Sequence, residues 1–247
     1  KWALHYRIER PRGRPPFLVL EVFSPKNQKD VPEATIENGN ATCPCCNVVL
    51  SAERTRAQLV AQNAGADVQY DRNGHRTAGA TLLAVASLNE SVQGRSYRVA
   101  EKRDYDILLS APKALSSLPE GAIPNEPVNS VRPSPNARGL SAVTRCGVRC
   151  FGDLFTARQK LALAQFSLQV RQLTVDGDSD TAFQDALSLA IGRCVDFWVS
   201  LARWKADAEC PVQALSRQAL SNVWDFTEAS PVSEATGSFL NQVDRVA

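Results

Sequence analysis

Residues 119–139 hold five prolines, at 119, 124, 127, 133 and 135. Proline fixes φ and brings no backbone N–H, so a run this dense completes neither a helix nor the interior of a sheet. The fold must therefore be assembled on the two sides of an extended segment. The sides differ in pattern: apolar residues alternate with polar ones before it and recur at helical spacing after it. The sequence predicts an α+β class. Residues 1–118 read as a β-rich part with two helices, 119–150 as a proline-rich basic connector with no core of its own, and 151–247 as a helical part.

Local signals fill in the first part. Leu4, Tyr6 and Ile8 alternate with polar neighbours, and Phe17–Phe23 is an apolar run rich in strand formers. Arg10-Pro11-Arg12-Gly13-Arg14-Pro15-Pro16 reads as a basic turn between them. Asn38-Gly39 is a hairpin signal leading into Ala41-Thr42-Cys43. Ser51 is placed to cap a helix over roughly 52–64, ended by Gly65. Asp71-Arg72-Asn73-Gly74 reads as a turn. Leu82, Leu83, Val85 and Leu88 predict a strand, Tyr97 and Val99 a shorter one. A helix over about 101–118 is expected to be interrupted or kinked at Pro112.

In the second part, Thr156-Ala157-Arg158-Gln159 fits a capping box. Leu163, Phe166, Val170 and Leu173 share a face of the helix that follows. After a break at Asp176-Gly177-Asp178-Ser179, a long helix is expected to about 206. Its stripe is Phe183, Leu187, Ala190, Cys194, Trp198 and Leu201, and the two helices read as antiparallel. A further helix is expected over 216–229, with Pro231 near its end.

The chain of 247 residues carries 28 Lys+Arg against 26 Asp+Glu. No run approaches the ~18 uninterrupted apolar residues of a membrane-spanning helix, so no membrane partner is expected. There is no Met, and Lys1-Trp2-Ala3-Leu4 resembles neither an initiator nor an export signal. The chain reads as a piece of a longer protein, and the cytoplasm is the expected compartment. The net charge of +2 is unevenly spread. Residues 132–171 carry seven basic and one acidic group, and 176–247 carry five basic and eleven acidic. Such asymmetry suits a polyanion on one side of the molecule. The plain alternative is ordinary solvated faces.

Cys43-Pro44-Cys45-Cys46 is the sharpest chemical motif. Cys43 and Cys46 form a C-x-x-C pair, whose two thiolates can hold one Zn²⁺ as in a zinc knuckle. A structural zinc needs four ligands, so a second pair must exist. Cys146-Gly147-Val148-Arg149-Cys150 offers one at looser spacing. The rival readings are a redox dithiol and inert thiols. Cys194 reads as a core residue, and Cys210 as a loop residue. His5 and His75 have no neighbours arranged as a catalytic dyad. Pro15-Pro16-Phe17 resembles part of the Asp/Asn-Pro-Pro-aromatic motif that holds a target amino group. Arg14 stands at its first position and cannot accept that hydrogen bond.

Further stretches carry a family resemblance: Ala41-Thr42-Cys43-Pro44-Cys45-Cys46, Arg56-Ala57-Gln58-Leu59, Gly94-Arg95-Ser96-Tyr97-Arg98 and Pro124-Asn125-Glu126-Pro127. They continue with Gly152-Asp153-Leu154-Phe155-Thr156-Ala157-Arg158-Gln159, Arg203-Trp204, Arg217-Gln218-Ala219-Leu220 and Val223-Trp224-Asp225-Phe226. In order and spacing these resemble the zinc-ribbon-containing, adenine-specific DNA methylases of bacteria and archaea, whose N-terminus carries a domain of unknown function. Asn47 stands where that family usually has glycine, and Cys146 where it usually has an aromatic residue.

The resemblance implies an S-adenosylmethionine-dependent parent enzyme. Its cofactor motif lies upstream of this region and its Asp-Pro-Pro-Tyr downstream. The chain is then the insertion between them, with no catalytic and no cofactor-binding residue of its own. A Cys pair upstream would complete a zinc site with Cys43 and Cys46. DNA is the expected partner. Arg138, Arg145, Arg149 and Arg158, with Arg132 and Lys160, would meet its phosphates near the N-terminus of the capped helix. The alternative function is a non-catalytic module that docks other proteins of a DNA-modification or phage-defence system through acidic helices and exposed Trp198, Trp204 and Trp224.

Overall fold

The computed structural model describes residues 2–62, 65–70, 72, 76–88, 94–130, 142–173, 177–216 and 219–246. Its class is α+β. The chain opens with a long hairpin, β1 (Ala3–Glu9) and β2 (Phe17–Phe23), paired from Ala3↔Phe23 to Glu9↔Phe17. The basic segment is its turn, with Gly13 at φ 73°. Asn38 (φ 52°) and Gly39 (φ 85°) take the left-handed conformations that a tight hairpin needs. They join β3 (Ile36–Glu37) to β4 (Asn40–Thr42), and β5 (Val49–Leu50) completes a three-stranded sheet.

Helix α1 (Ala52–Ala61) starts where Ser51 accepts a hydrogen bond from Arg54 N–H. Two short hairpins follow: β6 (Gln69–Tyr70) with β7 (Arg76–Ala78), and β8 (Ala84–Leu88) with β9 (Arg95–Val99). Leu82 and Leu83 therefore precede the strand expected to contain them; Tyr105 Oη donates to Leu82 O. The turn expected at 71–74 and His75 lie outside the described residues, Arg72 excepted. Helix α2 (Lys102–Leu115) carries Pro112 in its last turn.

The proline-rich stretch, where described, is not a free tether. Phe151 N–H donates to Glu126 O, Gly152 N–H to Pro124 O, and Val128 N–H to Arg149 O. Val128 is buried with Val143, Val148, Leu154, Val199 and Leu201. Residues 119–130 thus acquire a core by lying along 149–152.

Helices α3 (Ala157–Arg171) and α4 (Asp178–Val195) are antiparallel. Gln184 Nε2 donates to Val170 O at one end of the pair, and Leu163 and Phe166 pack on Cys194, Phe197 and Trp198 at the other. The long helix expected to 206 stops at Val195. Of the six residues Phe197–Ala202, all but Ser200 are buried. The backbone leaves the helix through Phe197 and Trp198, whose N–H groups both bond Cys194 O, and Ser200 N–H then donates to Leu154 O. The indole of Trp198 donates to Gly237 O at 2.6 Å. At the other end of the predicted stripe, Phe183 is exposed.

Cys210 is not in a loop. It opens β11 (Cys210–Val212), which pairs with β10 (Arg203–Lys205). The helix expected over 216–229 is absent among the described residues. Its backbone turns outward to other segments: Thr227 N–H donates to Ala202 O, Leu220 O accepts from Val143, and Phe226 bridges Arg203. The last element is α5 (Phe239–Val243), capped by Ser238.

Among the described residues the strands form five small sheets that share no hydrogen-bonded strand, with β2 of the first hairpin in contact with β9. The buried clusters draw on residues 128–202.

Candidate metal knuckle and nucleic-acid face

Strands β4 and β5 pair as Ala41↔Leu50 and Thr42↔Val49, which brings the ends of the cysteine motif together. Cys43 N–H donates to Val48 O at 2.9 Å, and Asn47 N–H returns to Cys43 O at 2.7 Å. The turn closes through Asn47 at φ 59°. Glycine is the easiest residue there, and Asn is the side chain that tolerates the conformation next best.

The Cys43 thiol faces the backbone N–H groups of Cys46 and Cys45 and their thiols, which hold its pKa below the ordinary cysteine value. Arg10, from the β1–β2 turn, donates from Nη2 to Cys45 O at 3.0 Å and ties the hairpin to the knuckle. Cys43 and Cys46 are thus brought side by side in one turn. Among the described residues no third His, Cys, Asp or Glu joins them.

Cys146 and Cys150 do not supply the other half. Cys146 is buried, which pushes its thiol pKa up against the opposing charge of Arg56. Its neighbour Cys150 donates its backbone N–H to Asp153. Cys194 is fully buried, with its pKa pushed up to about 12 by desolvation. His5 packs against Tyr6 and Phe23 in the hairpin.

The capping box at the start of α3 forms as its sequence dictates. Gln159 N–H donates to Thr156 Oγ1 at 3.3 Å, and Thr156 N–H donates to Gln159 Oε1 at 2.9 Å. Two carboxylates from distant segments crowd the same turn. Asp67 accepts from Ala157 N–H and pairs with Lys160 Nζ at 3.0 Å. Glu228 accepts from Thr156 Oγ1 at 3.2 Å and pairs with Arg158 at 2.7 Å. Arg158 and Lys160 therefore already share their charge with partners inside the chain, at the helix end where a phosphate was expected.

Arg145 and Arg149 are exposed and, among the described residues, have no carboxylate partner. The obvious neighbour, Asp153, spends its carboxylate on the backbone N–H groups of Arg149 and Cys150. Arg132 and Arg138 lie outside the described residues. Asp67 and Glu228 are the residues that local reading of the sequence misses. Each stands 70 or more positions from its partner on α3, beyond the reach of any periodicity.

Trp198 is buried and cannot dock a partner. Trp204 is half-buried against Tyr97, with Arg95 over its ring, and Trp224 is exposed. No helix among the described residues is long and apolar enough to cross a membrane. No family model, curated protein or solved structure matches the chain.

Proposed function

We propose that this chain is an inserted segment of an S-adenosylmethionine-dependent, adenine-specific DNA methyltransferase of the cytoplasm, one that contacts DNA and contributes no catalytic group. The observation that carries the reading is the cysteine knuckle. Cys43 and Cys46 converge in a turn closed by a left-handed Asn47, an arrangement that supports reading them as two ligands of the structural zinc site the resemblance implies. No glycine-rich cofactor loop and no Asp/Asn-Pro-Pro-aromatic occurs in the chain. S-adenosylmethionine supplies the methyl group of such an enzyme from residues outside these 247. The segment's own task is to hold DNA that must be distorted for a base to leave the stack.

Two assays test this together. The purified chain should transfer no methyl group from S-adenosylmethionine to DNA, and it should retard DNA at low salt and release it as salt rises. Methyl transfer by the chain alone, or no DNA affinity at low salt, defeats the proposal.

A second reading, a non-catalytic module docking other proteins of a defence system, draws on exposed apolar side chains. Val232 and Leu240 are among the most exposed, on segments joined by the hydrogen bond from Phe239 N–H to Pro231 O. A stable protein complex that forms without DNA affinity favours that reading.

A further inference from the structure

Residues 176–247 form the acidic third of the chain, with five basic side chains among eleven carboxylates. Three of the five, Arg203, Lys205 and Arg245, line a single open cleft of about 610 Å³. None of the carboxylates of this third among the described residues lines it. Scattered solvated charges do not sort themselves in this way, least of all against the sign of their surroundings.

The fold explains the grouping. Arg203 and Lys205 are two apart on β10 and so stand on one face of the strand, about 6.6 Å apart along it. Val212, opposite Arg203 in β11, shares that face and forms part of the floor with Phe197. Arg245 arrives from the far side, just after α5. That segment is pinned by the bond from the Trp198 indole to Gly237 O and by the packing of Phe239 on Phe166. Thr236 adds a hydroxyl to the wall. Lys205 has an exposed partner, Asp207, at 3.7 Å, a pairing of small worth in water. Arg203 and Arg245 have no carboxylate partner among the described residues. By contrast, Arg158 and Lys160 on α3 are both paired.

Unpaired cations beside a hydroxyl call for an anion. Two cations repeated along a strand call for a repeated anion, and an open cleft lets a chain pass through. We infer that the cleft between β10 and the end of α5 seats the phosphate backbone of a nucleic-acid strand, held by Arg203, Lys205 and Arg245. This rests on the DNA-contact reading above and relocates the contact from α3 to the acidic third. Lys and Arg at such a groove read charge rather than sequence.

The test uses the full 247-residue chain and labelled oligothymidylate of about 20 nucleotides, with binding followed by fluorescence anisotropy from about 25 to 200 mM salt. In the triple variant Arg203→Ala, Lys205→Ala, Arg245→Ala, the slope of log K against log salt should fall by about 2, at ~0.7 per single-strand contact. The charge-conserving pair Arg203→Lys, Arg245→Lys should keep the wild-type slope, which separates lost charge from lost folding. An unchanged slope in the triple variant overturns the cleft. If Arg145→Ala, Arg149→Ala lowers the slope instead, the DNA reading survives and the cleft does not. A wild-type chain that ignores DNA at the lowest salt overturns both, and so does one that binds polyglutamate in its place.

Discussion

Asp67 and Lys160, 93 positions apart, are joined by a 3.0 Å ion pair, while the same Asp67 carboxylate accepts the N–H of Ala157. One side chain from the loop before β6 thus both caps α3 and neutralises a cation in its first turn. A carboxylate at a helix N-terminus is favoured by the free N–H groups and by the dipole. Replacing Asp67 by Ala should cost about 1–2 kcal/mol, and Thr156→Ala about 1 kcal/mol. Urea titration followed by helical circular dichroism measures both. A stability loss below a few tenths for Asp67→Ala would show that Thr156 suffices.

Gly79 sets Asp67 in place from behind. Its φ is +82°, and a Cβ added there would stand 1.6 Å from Asp67 O. No side-chain rearrangement relieves a clash with backbone, and the left-handed conformation adds strain of its own. Gly79→Ala should destabilise by about 3 kcal/mol, more than loss of the Asp67 side chain itself. The same urea titration ranks the two variants, and the reverse order would contradict this account.

The cysteines should separate by reactivity. Thiolate is the nucleophile, and Cys43 is held below the ordinary thiol pKa by the N–H groups of Cys46 and Cys45. Burial pushes Cys146 and Cys194 the other way. Brief iodoacetamide treatment of the metal-free native chain at neutral pH, read by peptide mass spectrometry, should label Cys43 well before Cys146 or Cys194. The pH midpoint of its alkylation should lie below that of a free cysteine. Equal labelling of Cys43 and Cys194 would refute the arrangement.

Acid should loosen the junction of β9 and α2. Arg98 forks onto both oxygens of Asp104, at 2.6 and 2.9 Å, and Glu101 N–H donates to the same carboxylate. These hold the Asp104 pKa well below the usual carboxylate range. A depressed folded pKa means stability that is present above the unfolded value near 4 and lost as pH falls toward the folded value. The wild-type chain should exceed Asp104→Asn in stability at pH 7, and the gap should narrow below about pH 4. Urea midpoints at pH 7, 5 and 3 decide this. A constant gap would mean that the pair does not report on folding.

The elements that form from neighbours in sequence were legible. Asn38-Gly39 makes its hairpin, and Thr156 with Gln159 makes its capping box. Each is a contact within four residues. What failed was decided by distant contacts. The stripe from Phe183 to Leu201 satisfies helical spacing, yet Trp198 turns inward to reach Gly237 and ends the helix early. Residues 216–229 have helical composition, but Ala202 and Val143 claim their backbone groups. For the candidate site, the nearness of Cys43 to Cys46 in one turn was readable from spacing. Glu228 and Asp67, which engage Arg158 and Lys160, carry no local sign of that role.

The buried clusters gather residues from 128 to 202, while β1 and β2 pair chiefly with each other. An isolated two-stranded ribbon is marginal in water. The hairpin is held to the rest by Arg10 at Cys45 O and by Trp2 against Tyr97 rather than by either buried cluster, so the amides of Tyr6 and Leu20 should open at lower cost than those of the core. Those of Ala190 and Cys194, which have no accessible surface, are shielded by the full stability of the core. Deuterium would enter the molecule as a front, taking the hairpin first and the last turns of α4 last. The order in which deuterium enters would then trace the division between the hairpin and the buried clusters.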